Sequence, residues 1–145
     1  MKYQYLGFVA DYYQTTKSNE KTIKKLETLY GAPFPEAFRE LIRIVGPSAA
    51  FNIVAFSDGS YDGMQALHDM ARENAEEDGT DFMQDKNQFP FSGSAVTGQF
   101  WFFRLDEGND PPVYQYSPPQ EEKDPYRKLA DHLSVYLKTF LRFSK

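Results

Sequence analysis

Cysteine is absent from this 145-residue chain. That excludes disulfide staples, thiolate zinc sites, iron–sulfur clusters and a cysteine nucleophile. Histidine is scarce: His68 and His132 are the two present, too few for a three-histidine metal site. No apolar run approaches the ~20 residues that span a bilayer, so no membrane partner is expected. The N-terminal run MKYQYLGFVADYY lacks the continuous apolar core and cleavage site of a signal peptide, and no Asn-x-Ser/Thr sequon occurs. The expected location is the cytoplasm. Basic charge is short as well, with 16 Lys and Arg against 21 Asp and Glu. A general nucleic-acid binder needs a basic face to displace counterions, so nucleic acid is not an expected partner. A net charge of -5 suits a soluble protein, or one that meets a basic partner.

Aromatic rings are plentiful: thirteen Phe and ten Tyr can fill a dense core in one small domain. Residues 1–145 are expected to form one domain. Its opening 1–20 reads as a strand or extended arm, because aromatic and β-branched residues crowd there. Ile23, Leu26, Leu29 and Tyr30 recur at helical spacing, and Gly31 stops that helix. Pro35 and Glu36 suit the first turn of a second helix carrying Phe38, Leu41, Ile42 and Val45. Alternation over residues 51–57 predicts a strand. Met64, Leu67, Met70 and Ala71 form the stripe of a third helix. From Phe89 to Tyr116 the chain reads as a β-meander, with four aromatics from Phe100 to Phe103 mid-sheet and a hairpin loop from Asp106 to Pro112. Asp124 as cap and Pro125 as first residue predict a last helix with Leu129, Leu133, Tyr136, Leu137, Phe140 and Leu141 on its apolar face. The fold class is α+β: a predominantly antiparallel central sheet packed with about four helices.

Three stretches carry a family resemblance. LETLYGAPFPEAFRELIRIVG, from Leu26 to Gly46, places Glu27 on one helix, then Gly31, Phe34-Pro35 and Phe38 at the start of the next. FPFSGSAVTGQFWFFRLDEGNDPPVYQY, from Phe89 to Tyr116, runs through an entry strand, a Gly turn, an aromatic strand ending in Asp, and a Pro-Val-Tyr strand. An amphipathic helix closes the chain. In this order they resemble the SUKH superfamily, which includes Smi/Knr-type cell-wall regulators and many bacterial immunity proteins. Where that family commonly has Asn-Gly after its second helix, this chain has Val45-Gly46-Pro47, and the segment up to Gln14 has no counterpart. The resemblance implies binding rather than chemistry. Bacterial members neutralise a cognate toxin, often a nuclease, by direct contact. The family shares no catalytic residues, and Glu27, Gly31, Pro35 and Val113 read as structural. The alternative within this reading is a regulatory or scaffolding adaptor without a toxin.

For such a partner the acidic run Glu73, Glu76, Glu77, Asp78 and Asp81 is the candidate surface, since an acidic helix face can mimic phosphate in a basic groove. Its bland counterpart is a solvated helix end. Asp106, Glu107 and Asp110 form a polar hairpin tip that can join the surface. No catalytic residue, metal or cofactor is expected. Asp58, Ser60, Asp62 and Gly63 fit the opening of a calcium loop, but the twelfth position is Asp69, short of the usual Glu reach, and the eighth is Gln65. Asp-Gly turns and an Asp62 helix cap account for the same residues. Gly-x-Ser-x-Gly, Gly-x-Gly-x-x-Gly and P-loop patterns are missing. Each histidine sits beside an apolar stripe, the position of a satisfied core or surface residue. The aromatic strand has too few basic neighbours for base stacking and is expected in the core.

Overall fold

The computed structural model describes residues 3–12, 20–45, 64–94, 96–119 and 124–143. The strand expected over residues 51–57 and the loop of Asp58, Ser60 and Asp62 lie outside them. The elements run α1 (Gly7–Tyr12), α2 (Glu20–Tyr30), α3 (Glu36–Val45), α4 (Met64–Asp78), β1 (Gln88–Ser94), β2 (Gln99–Arg104), β3 (Val113–Tyr116), β4 (Tyr126–Ala130) and α5 (Leu133–Phe143). The four strands form an antiparallel meander in the order β1-β2-β3-β4. With the helices around it, this is the α+β fold read from the sequence.

α2 and α4 stop by the same device. Gly31 and Gly79 both adopt φ +70. The amides of Gly31 and Ala32 turn back to the carbonyls of Thr28 and Glu27, and those of Gly79 and Thr80 to Glu76 and Ala75. This is the Schellman closure, and the left-handed residue it needs costs least as glycine. Pro90 sits in β1, at the sheet edge and beside a register shift, where its missing N–H breaks no ladder bond. Gly93 faces Phe100 across the pair; a Cβ there would lie 2.3 Å from the Phe100 ring. The glycine is what lets that ring seat.

The aromatic strand β2 divides its rings by pleat alternation. Phe103 packs with Phe38, Phe89 and Phe91. Phe102 turns the other way, to Phe82, Tyr114 and Tyr126. Phe38, Leu41, Phe102 and Leu137 are all buried in one cluster, as their stripes predict, but it is Phe103 that meets Phe38. Trp101 shares the Phe103 face and, with Gln99, Gln115 and Leu129, looks toward Val135 and Tyr136 of α5.

Two expectations are corrected. The N-terminal segment is not a strand: residues 7–12 are helical. The buried carboxylate of Glu40 (2% exposed) accepts the amides of Gln4, Tyr5 and Leu6 at 2.9–3.1 Å, so the three residues that lead into α1 are anchored to α3. Leu6 and Val9 then bury one face. A tertiary anchor ahead of the helix thus takes up backbone donors that a strand would have paired in a sheet. The second correction concerns Asp124 and Pro125, which do not open the last helix. Asp124 accepts the Tyr126 amide at 2.9 Å, and residues 126–130 pair with β3 instead. Strand pairing supplies this stretch with partners that a helix would lack, and it places Tyr126 against Phe82, Phe102 and Tyr116. The helix starts only at Leu133.

Candidate partner-binding surface

α4 packs its small and apolar side, Leu67, Ala71 and Ala75, toward the core beside β1. Helical spacing then turns Glu73, Glu76 and Glu77 outward, and all three are exposed. None makes a hydrogen bond or ion pair among the described residues. Together they form an acidic row, with Arg72 beside Glu76 at its edge.

Asp78 and Asp81 belong to the same run but are tied to the sheet. The Tyr116 hydroxyl donates to Asp78 at 2.8 Å and also meets Thr80 Oγ1 at 2.7 Å. The Tyr126 hydroxyl donates to Asp81 at 2.6 Å. Phe82, just beyond, stacks on Tyr116 with ring centroids 4.2 Å apart. Burial, reinforced by the carboxylate each hydroxyl serves, pushes the Tyr116 phenol up to about 12 and raises that of Tyr126 as well. Both tyrosines therefore stay protonated donors at neutral pH, and the acidic turn after α4 is fixed in place.

The β2–β3 loop is more than a polar tip. Asp106 takes Arg104 Nε at 3.0 Å, and Glu107 takes the Tyr114 hydroxyl at 3.0 Å. Asn109 caps α3: its carbonyl accepts the Ala37 amide at 2.8 Å. Asp110 caps α5, accepting the Ser134 amide at 2.9 Å and the Ser134 hydroxyl at 2.5 Å. Two adjacent residues thus close the N-termini of two helices that are distant in sequence. Of the eight acidic residues singled out in the sequence, the structure brings Glu73, Glu76, Glu77, Asp78 and Asp81 together. It leaves Glu73, Glu76 and Glu77 without an internal role.

Other polar residues are spoken for by the fold. Glu27 accepts the Phe34 amide at 2.5 Å and the Arg39 guanidinium at 2.8 Å. Arg39 and Arg43 both reach Glu36, at 3.2 and 2.7 Å, and Arg43 also pairs with Glu20. This ladder joins α2 to α3 and explains why the Glu27 position reads as structural. The Glu20 hydrogen bond holds the Arg43 guanidinium above its ordinary pKa, offsetting partial burial. His68 is buried, with Nε2 donating to the Pro90 carbonyl at 3.0 Å, and His132 Nδ1 donates to the Asp110 carbonyl at 2.6 Å. Among the described residues no group of three His, Cys, Asp or Glu side chains is arranged to hold a metal ion, and no helix is long and apolar enough to cross a membrane.

The anchoring role of Glu40 and the capping roles of Asn109 and Asp110 were not expected from the sequence. Glu40 carries one readable sign, a charged residue between Phe38 and Leu41 on a strongly amphipathic helix. The caps from Asn109 and Asp110 reach across the fold, so no local pattern announces them.

The model of the SMI1 / KNR4 family (SUKH-1) matches residues 17–139. It therefore spans every described element except α1, with α5 entering it in part. Neither the curated proteins nor the solved structures yield a match.

Proposed function

Because the chain belongs to the SMI1 / KNR4 family (SUKH-1), we propose that it is a non-enzymatic protein-binding domain, an immunity protein that neutralises a cognate toxin by direct contact in the cytoplasm. The observation that carries this reading is the exposed, uncommitted row Glu73, Glu76 and Glu77 on α4. Side chains with no work inside the fold are free for a partner, and a row of one sign selects a partner of the other. The net charge of -5 supports a basic partner, such as a nuclease whose groove holds phosphate. The tyrosine-held turn at Asp78 and Asp81 extends the row and limits the ordering that binding would require.

The test is co-expression with the product of the neighbouring gene, which this reading expects to be a toxin. Cells carrying both should grow, the two proteins should co-purify, and Glu73→Gln with Glu76→Gln and Glu77→Gln should weaken both effects. Growth arrest despite soluble, folded protein, with no complex formed, would contradict the reading.

A further inference from the structure

A cavity of about 330 Å³ opens between the end of α2, the first turns of α4 and the turn that leads into β1. His68 is the most deeply buried polar group in its wall, at 2% exposure. Its Nε2 lies 3.0 Å from the Pro90 carbonyl oxygen. A carbonyl only accepts, so in the neutral ring Nε2 carries the proton and Nδ1 keeps a lone pair. Nδ1 has no hydrogen-bond partner among the described residues. Burial holds the ring's pKa down at about 4, so it stays a neutral acceptor at physiological pH.

The surroundings suit a flat body. The rings of Tyr30 and Phe89 meet the imidazole edge-on, with centroids 5.2 and 4.6 Å away. Met83 lines the same space with φ 71, a left-handed backbone that its amide keeps by donating to Gln88 Oε1 at 2.7 Å. Strain of this kind persists where neighbours over-determine it, and it gathers at ligand sites.

The remaining wall is charged. Asp85 lines it, but its carboxylate is taken by Arg104 at 2.8 Å and by the Asn87 amide at 2.9 Å. Arg72 reaches Asp69 at 3.3 Å, and Lys86 has no ion-pair partner among the described residues. With Asp85 and Arg72 each paired, Lys86 leaves the wall a single positive charge in excess.

We propose that this cavity binds a small planar organic acid with a hydrogen-bond donor at the end remote from its carboxylate. The donor meets His68 Nδ1, the ring lies along Tyr30, Phe89 and Met83, and the carboxylate faces Arg72 and Lys86. A volume of about 330 Å³ is at the small end of the ~300–1,000 Å³ typical of ligand pockets, which suits a single ring. The proposal is independent of any toxin.

The probes are 4-hydroxybenzoate and benzoate, which differ by the donor alone. Each is titrated into the full chain and followed by amide and imidazole ¹⁵N NMR. The hydroxylated acid should bind saturably, shift the His68 Nδ1 resonance, and bind several-fold tighter than benzoate, the net worth of one hydrogen bond made in exchange for water. Arg72→Gln lies on an exposed position and should weaken both acids several-fold without disturbing the fold. The proposal fails if neither acid saturates, if benzoate binds equally well, or if Arg72→Gln together with Lys86→Gln leaves binding unchanged.

Discussion

The Tyr116 hydroxyl donates to Asp78 at 2.8 Å, so the last residue of α4 is held by the third strand of the sheet. The acidic run is therefore two populations: Asp78 and Asp81 support the fold, whereas Glu73, Glu76 and Glu77 do not. Changing the three glutamates together to Gln should alter unfolding free energy by less than ~1 kcal/mol, as exposed charges do. Asp78→Ala removes the charged acceptor of a part-buried hydroxyl, leaving it Thr80 Oγ1, and should cost ~1–3 kcal/mol. Urea unfolding separates the two. Equal effects would mean that the tyrosine contact is idle.

Glu40, within α3, anchors the three residues that lead into α1. Glu40→Ala leaves the buried Leu6 amide and its two neighbours without their acceptor. A cost of ~3 kcal/mol is expected, since charged hydrogen bonds and orphaned donors both enter. Amide exchange of residues 4–10 should rise more than that of β2. Uniform change, or none, would show that α1 holds its place without the anchor.

Ser92 gives the opposite sign. Its hydroxyl is buried with no hydrogen-bond partner among the described residues. Removing an unsatisfied buried hydroxyl relieves a desolvation cost, so Ser92→Ala should be stabilising by ~1 kcal/mol. A loss of stability in urea would reveal a bond that the hydroxyl makes.

His68 sets an acid limit. Its pKa is 6.5 in the unfolded chain and about 4 in the fold, because burial disfavours the charged ring. Between those values the unfolded state binds more protons, so stability is complete above pH 6.5, falls as pH drops, and levels off below 4. The loss amounts to ~3 kcal/mol. In His68→Phe the urea midpoint should lose most of its slope across that window. An unchanged slope would place the acid sensitivity in other groups.

Much of this was legible because it is periodic or local. The stripe of Phe38, Leu41 and Ile42, the stop at Gly31, and the aromatic strand all follow from spacing and from residues with special backbone freedom. What failed was set by distant partners. The Tyr126–Ala130 segment opens with a helix-like Asp-Pro, yet pairing to β3 decides its state. Residues 7–12 carry strand-like side chains, yet they are helical, and the residues before them are tied to Glu40, more than thirty positions away. The acidic surface was found by composition. Its division into tethered and free carboxylates depends on Tyr116 and Tyr126, which the sequence does not place.

The most direct test of the partner-binding account is the association rate with the cognate toxin, measured at several salt concentrations. Charge at an interface rim chiefly sets association, and its reach shrinks as the Debye length falls to ~3 Å at 1 M salt. The native chain should associate fast at low salt and slow steeply as salt rises. The Glu73→Gln, Glu76→Gln, Glu77→Gln variant should associate more slowly and with a flatter salt dependence. If that variant associates at the native rate at low salt, the α4 face is a solvated helix surface and the toxin binds elsewhere.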